Sequence, residues 1–423
     1  MEEWKEYKLI DVLDALIDYR GKTPKKIDRG IPLITAKIVK GGRINEPNEF
    51  LAEEDYDKWM VRGFPKAGDV VLTTEAPLGE VAQLDDRKIA LAQRIVTLRG
   101  KKNVLDNTYL KYYFLSNVGQ SRLKARETGT TVTGIKQSEL REVLVTCPPF
   151  AIQQKIANIL SSLDDKIEVN RRINEQLEEL AGALFKSWFV DFEPFKDGEF
   201  VDSELGMIPK GWKVGTFSNV VDSTLGGDWG KENEQGNYTK EVFCIRGADI
   251  PEIKIGNRGK MPIRYMLEKN FAKKSLANND LVVEISGGSP TQSTGRVCRV
   301  TSELLEKYNN SLICTNFCRA IKPFADYSAY IYYYWQYLYD QGTMFNYENG
   351  TTGIKNLMIN DILDKEPIVI PPINIVEQYK DVVETFATKI QKNGEEIEKL
   401  TTLRDTLLPK LMSGEIDVNE VEI

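Results

Sequence analysis

The 423-residue sequence contains no histidine. That absence removes Ser-His-Asp and Cys-His nucleophilic catalysis and every histidine-containing zinc site. Cysteine is sparse. Cys147, Cys244, Cys298, Cys314 and Cys318 are odd in number and scattered, which reads as reduced thiols in a cytoplasmic protein. Cys314 and Cys318 stand four apart and read as a buried structural pair rather than as metal ligands. No apolar run is long enough to span a membrane. The start, Met1-Glu2-Glu3-Trp4-Lys5, has no basic region leading into an apolar stretch, so no signal peptide is expected. Also missing are the G-x-x-x-x-G-K-S/T phosphate loop and a glycine-rich dinucleotide fingerprint after a strand.

What is present is ordinary for a soluble globular protein of two to three domains: 41% hydrophobic and 28% charged residues. The net charge of −7 argues mildly against a nucleic-acid partner, but it is unevenly spread. Residues 1–150 carry a net +3, residues 151–195 a net −3, residues 196–372 a net −2 and residues 373–423 a net −5. The acidity sits mostly on two helical stretches. Those could face a protein partner while other surfaces meet a polyanion.

The two stretches organise the chain. After Pro148-Pro149, a helical pattern over 151–189 has a seam at Ile156, Leu160, Leu163, Ile167, Asn170, Asn174, Leu177, Ala181, Leu184 and Trp188. Steps of four and three alternate, the period of a helix packed along another helix. After Pro371-Pro372 the seam returns 223 residues on, at Tyr379, Val383, Phe386, Ile390, Asn393, Ile397, Leu400, Arg404, Leu407 and Leu411. Asn170 falls on Asn393. A polar residue on an apolar seam costs stability but fixes register, so the two helices are expected to pack against each other.

The repeat extends beyond the helices. Trp4-Lys5 and Trp212-Lys213 open the halves. Strand candidates at 31–36 and 67–72 return at 242–247 and 278–283, and short strands at 80–82 and 296–298 follow. Aromatic-rich helices are expected at 109–115 and 329–335. After each stands the most literal repeat, Gly129-Thr130-Thr131-Val132-Thr133-Gly134-Ile135-Lys136 against Gly350-Thr351-Thr352-Gly353-Ile354-Lys355. Backbone amides beside glycines, threonine hydroxyls and a lysine suit phosphate contacts, although such residues also make plain turns. The expected organisation is a globular domain over 1–150, a helix over 151–190, a poorly periodic linker over 191–210, a second domain over 211–372, a helix over 373–412 and an acidic tail over 413–423. The fold class is mixed α/β (α+β), with an internal pseudo-twofold repeat and an antiparallel coiled-coil pair between the domains.

Catalysis by this chain is not expected. Cys147-Pro148-Pro149-Phe150 faintly resembles the Asp/Asn-Pro-Pro-aromatic loop of amino-methyltransferases. Cysteine cannot accept hydrogen bonds from a target amino group as an amide or carboxylate does, and the second copy, Ile370-Pro371-Pro372-Ile373, loses both ends. A rigid start to each helix explains the prolines better. The helices stay in phase while the intervening loops diverge, which suggests two recognition modules on one scaffold.

Together these features resemble the specificity subunits of Type I restriction-modification systems. The likeness covers nearly the whole chain. It rests on the duplicated order of Trp-Lys start, Gly-Thr-Thr loop, Pro-Pro pair and long helix. It also rests on the local wording at 148–157, 167–184, 185–189 (Phe185-Lys186-Ser187-Trp188-Phe189) and 407–415. The resemblance implies two target recognition domains, each reading one part of a split double-stranded DNA sequence. It implies a helix pair that spaces them and docks two methyltransferase subunits, with two restriction subunits joining. S-adenosylmethionine, ATP and Mg2+ would belong to those partners, with no cofactor in this chain, no membrane, and a prokaryotic, nucleoid-associated cytoplasmic location. A 39-residue helix spans roughly 58 Å, enough to hold domains about one turn of DNA apart.

On that reading Lys22, Lys25 and Lys26 suit phosphate, and Lys37 is a further DNA-contact candidate. Lys136 and Lys355, with Thr130, Thr131, Thr351 and Thr352, are candidate duplicated backbone contacts. Thr74, Glu75, Gln93 and Arg94 in the first half, and Arg246, Ser289, Gln292, Arg296 and Asn316 in the second, are candidate base-edge readers. Two other classes stand beside it: a two-domain scaffold that binds proteins and not DNA, and a self-contained DNA amino-methyltransferase.

Overall fold

The structure, a computed structural model, describes the chain apart from residues 1–3, 20, 22, 130–132, 290, 351–354 and 420–423. It divides into two compact units, Met1–Lys166 with Leu400–Ile423, and Ile167–Lys399. Each unit contains one globular half and one end of each long helix.

The first unit is built on a four-stranded antiparallel sheet in the order Leu13–Asp18, Ile95–Gly100, Val70–Thr74, Leu78–Gln83. A smaller sheet pairs Ile31–Ile34 with Phe50–Leu51 on one side and, in parallel, with Ala90–Leu91 on the other. The aromatic helix Asn107–Leu115 is started by the Asp106 carboxylate, which accepts from the Tyr109 N–H. It buries Tyr109, Tyr112, Tyr113 and Phe114 against the sheet. Residues Lys5–Lys8 close the domain by pairing with Leu144–Cys147 just before the first long helix.

The second unit repeats this plan. Its main sheet runs Val221–Gly226, Cys318–Pro323, Leu281–Glu284, Val297–Arg299. Its small sheet places Lys240–Ile245 between antiparallel Ile263–Met266 and parallel Leu312–Cys314, and Lys213–Thr216 pairs with Pro367–Ile370. Single groups match as well. Buried Asp69 accepts from the Lys66 N–H at 2.8 Å and pairs with Arg99 at 2.7 Å. Asp280, 211 residues on, accepts from the Ala277 N–H at 2.8 Å and pairs with Lys322 at 3.0 Å. Tyr109 and Tyr330 each donate to the carbonyl of an equivalent closing-strand residue, Thr146 and Val369.

The long helices run Phe150–Phe189 and Ile373–Ser413. Within the second unit they are antiparallel: Asn170 reaches Glu396, Asn174 reaches Asn393 and Tyr379 reaches the Ala181 carbonyl. No seam position is exposed. The seam does more than join two helices, however. Ile156, Leu160 and Leu411 belong to the first unit's core, and Ala181, Leu184, Trp188, Tyr379, Val383 and Phe386 to the second's. The apolar stripe is shared between the partner helix and the globular half, because a single stripe must cover both neighbours. Near the middle, a Cβ on Gly394 would lie 2.0 Å from the Gly256 carbonyl oxygen, so glycine there admits the loop of the second half.

Two segments without clear periodicity are nonetheless held in place. In the stretch over 191–210, expected as a poorly periodic linker, Phe200–Val201 pairs with Ile208–Pro209, and Phe192 and Phe195 pack on Trp212 at 5.5 and 5.0 Å. Apolar burial, which the aperiodic sequence hid, ties it to the second unit. The described part of the acidic tail also folds back: Val418 is buried in the first unit and Asn419 accepts from Lys155 at 2.8 Å.

Candidate nucleic-acid interface

In the first unit the candidates gather where the strand Val70–Thr74 ends. The Thr74 N–H donates to the Arg94 carbonyl at 2.8 Å, and the Ile135 N–H donates to the Thr74 carbonyl at 2.9 Å. Gly134 and Ile135 of the literal repeat are therefore laid against this strand end. Gly134 is required by space, since a Cβ there would lie 2.8 Å from the Thr74 oxygen and 2.9 Å from the Glu75 Cβ. Glu75 holds the Arg94 Nε at 2.8 Å, both half-exposed, and the Thr23 hydroxyl meets the Gln93 side chain at 3.1 Å. Lys26 pairs with Glu49 at 2.7 Å, while Lys25, Lys37 and Lys136 are exposed. The Thr74 side chain is not presented to solvent; its Oγ1 is buried without a hydrogen-bond partner. Lys22, Thr130 and Thr131 lie outside the described residues.

The second unit builds the same corner from other side chains. The Ile285 N–H donates to the Phe317 carbonyl at 2.9 Å and the Leu357 N–H to the Ile285 carbonyl at 2.8 Å. Ser289 and Gln292 close a turn, with the Ser289 hydroxyl accepting from the Gln292 N–H at 3.0 Å. Asn316 is exposed. Both arginines spend their guanidinium groups on neighbouring carboxylates. Arg296 is bidentate on Glu284 at 2.8 and 2.6 Å, and Arg246 on Asp249 at 2.9 and 3.1 Å. Burial works to raise the Asp249 pKa, but Arg246 and two backbone amides outweigh it and hold the carboxyl below its ordinary value. These pairs order the loops. Lys355 is likewise engaged, by Glu348 at 2.7 Å and over the Phe345 ring at 4.8 Å. Glu348 also accepts from the Thr294 hydroxyl at 2.8 Å, and these partners lower its pKa against the opposing effect of burial. Thr351 and Thr352 lie outside the described residues.

The duplication of Lys136 and Lys355 is literal in sequence but not in space. Ile135 and Leu357 make the equivalent hydrogen bonds, so the copies are 222 apart here, and Lys136 corresponds to Met358. Both stand at the start of a short helix, Gln137–Arg141 and Ile359–Lys365. The second copy has extra residues beyond its lysine, which the matching of Gly-Ile-Lys concealed. Phe317, exposed beside Asn316, is not among the sequence candidates, although it follows Arg94 by 223 residues as Asn316 follows Gln93.

No group of three or more potential metal-ligating residues occurs among the described residues. Burial pushes the thiols of Cys147, Cys244, Cys314 and Cys318 up to about 12, which leaves them protonated and unreactive. No helix is long and apolar enough to cross a membrane among the described residues.

Residues 1–179 match the family model of the Type I restriction modification DNA specificity domain. Over 442 aligned residues, 99% of this chain and 95% of the relative, the sequence is 30% identical to the Type I restriction enzyme MjaIX specificity subunit of Methanocaldococcus jannaschii. The chain belongs to the Type I specificity subunits. The HindI specificity subunit of Haemophilus influenzae is 24% identical over 98% of this chain and all of that one. The same fold is found in the S subunit of a Type I restriction-modification system from M. genitalium, with a TM-score of 0.54 over 97% of this chain, 96% of that chain and 17% identity. As a specificity subunit the chain recognises DNA and is not itself the catalyst.

Proposed function

We propose that each globular half is a target recognition domain, reading one short part of a split DNA sequence across a fixed unread gap. The observation that carries this is the duplicated corner. Equivalent backbone hydrogen bonds at Thr74 and Ile285 hold up different side chains, Glu75, Gln93 and Arg94 in one half, Asn316, Ser289 and Gln292 in the other. A common scaffold with divergent polar display suits two different sequences. Recognition domains over 1–150 and 211–372 are flanked by spacer helices over 151–190 and 373–412, and the helix pair sets the gap. Lys25, Lys37 and Lys136 supply phosphate contacts, and Arg94, its Nε held by Glu75, offers its remaining edge to guanine.

Methyltransferase and restriction subunits are the partners of this family. Two methyltransferase subunits dock on the helix pair, and Leu180 and Leu403, equivalent positions on the two helices that are 52% and 46% exposed, are the candidate contacts. The partners carry S-adenosylmethionine, ATP and Mg2+, and the complex works at the prokaryotic nucleoid. With a net charge of −7, the chain binds DNA tightly only with partners that help neutralise phosphate. The test is methylation mapping in cells expressing the chain with its methyltransferase subunit. Two short defined parts with a constant gap are expected. No new methylation with a folded partner present would mean a specificity subunit that has lost its activity.

A further inference from the structure

Arg94 and Phe317 occupy one position of the duplicated scaffold. Two residues earlier, the Ala92 N–H donates to the Ile34 carbonyl at 2.9 Å and the Thr315 N–H to the Ile245 carbonyl at 3.0 Å. At the position itself the carbonyls accept from Thr74 and Ile285. The register is thus the same across both segments, and the side chains that follow from it are chemically opposite. Arg94 presents a charged donor edge braced by Glu75.

Phe317 presents a ring with neither donor nor acceptor, 57% exposed. Its backbone is firmly held. The carbonyl also accepts from the Ser286 N–H at 3.2 Å, and the Cys318 N–H returns to the Thr315 carbonyl at 2.9 Å. The ring therefore meets a partner with little ordering of its backbone left to be lost on binding. Its immediate neighbours are Asn316 and the Ser286–Gly287 strand, which pairs with Lys355 and Asn356 in the region of the repeated loop.

We infer that Phe317 reads a thymine of the second half-site by apolar contact with its 5-methyl group. The inference rests on the reading of the second unit as a DNA-recognition domain. In the major groove the thymine methyl is the apolar mark among donors and acceptors, and it is what a ring without polar atoms can recognise. Where the first domain takes a hydrogen-bonding base at this position, the second takes a methyl.

The test uses the full chain in complex with its methyltransferase subunit and duplexes carrying the mapped target. Each thymine of the second half-site is replaced in turn by deoxyuridine, which removes the methyl alone, and binding is followed by fluorescence anisotropy. One replacement is expected to weaken wild-type binding about fourfold, the equivalent of one buried methyl. Phe317→Ala should bind the thymine and uracil duplexes within twofold of each other, and Phe317→Leu should keep part of the difference. Replacements in the first half-site should affect the wild type and both variants alike. A second half-site without an A·T pair, a wild type blind to every replacement, or a Phe317→Ala complex that still distinguishes thymine would each overturn the inference. The wild-type comparison stands even if a variant fails to fold. A complex with no sequence preference at all is a different result, and removes the DNA-recognition reading itself.

Discussion

The side-chain amide of Asn393 donates a 2.8 Å hydrogen bond to the side-chain oxygen Oδ1 of Asn174, and both residues are buried. Asn174 in turn donates to the Ile390 carbonyl at 3.0 Å and to the Ile255 carbonyl at 2.9 Å. The pair joins the two helices and the loop beside Gly256 at one point. Asn174→Leu leaves the Asn393 amide buried without its acceptor and strips a donor from Ile255, which should cost about 2–3 kcal/mol. Asn393→Leu should cost less, about 1–2 kcal/mol, because the Asn174 amide keeps its partners. The double variant should cost less than the sum, since neither amide is then stranded. Urea denaturation of the full chain measures all three.

Asp164 is the corresponding polar centre of the first unit. It accepts from Tyr112 and from Arg404 at 2.8 Å, with Lys111 at 3.3 Å. Burial works to raise its pKa, but Lys111, Tyr112 and Arg404 together lower it. A lowered carboxyl pKa contributes stability that is complete above its unfolded value, near 3.9, and is lost as pH falls through the lower folded value. Asp164→Asn should therefore be less stable than wild type at pH 7 by about 1–2 kcal/mol, discounted for its partial exposure. The gap should narrow as the pH is lowered below the ordinary carboxylate range. Urea midpoints for both proteins across that range decide it; a gap independent of pH would refute the electrostatic account.

Much of this was legible in the sequence, and the misses have physical causes. The helices, the paired prolines and the return of the 67–72 strand at 278–283 showed the duplication. Asn393 is the repeat image of Asn170, yet it bonds Asn174. Antiparallel packing about a twofold pairs each residue with the image of the one equally far on the other side of the axis, not with its own image. The strands Ile95–Gly100 and Cys318–Pro323, central to their sheets, were not anticipated. They are largely buried, so the alternation that marks a half-exposed strand is weak. At the candidate interface residue type was visible but pairing was not. Arg246 and Arg296 look like free readers until Asp249 and Glu284, three residues after one and twelve before the other, are folded against them.

The exposed lysines offer a test that separates phosphate contact from base reading. Lys25→Ala, Lys37→Ala and Lys136→Ala should each weaken binding by the methyltransferase complex about equally for target and non-target DNA. Each should also reduce the slope of log affinity against log salt by about 0.9. Arg94→Ala should instead cost about 1–3 kcal/mol on the target alone and relax a single position of the first half-site. Salt titrations with target and scrambled duplexes distinguish the two behaviours. A lysine variant with an unchanged slope makes no phosphate contact.

Leu180 and Leu403 bear on how many methyltransferase subunits dock. They lie on different helices and in different units, yet 223 residues separate them, the spacing of the whole helical repeat. Each is a large apolar side chain left in solvent where the equivalent seam residues are covered. If each marks one docking face, Leu180→Glu should remove one methyltransferase subunit and leave the other, and Leu403→Glu should do the same for the second. Placing a charge in a desolvated contact costs enough to displace a subunit, whereas on a free surface the change is close to neutral. Native mass spectrometry should then count two partners on the wild type, one on each single variant and none on the double variant. Two partners on every species would place the docking surface elsewhere on the chain. Loss of both partners from either single variant would mean that the two faces form one cooperative site, so that the second subunit needs the first already bound.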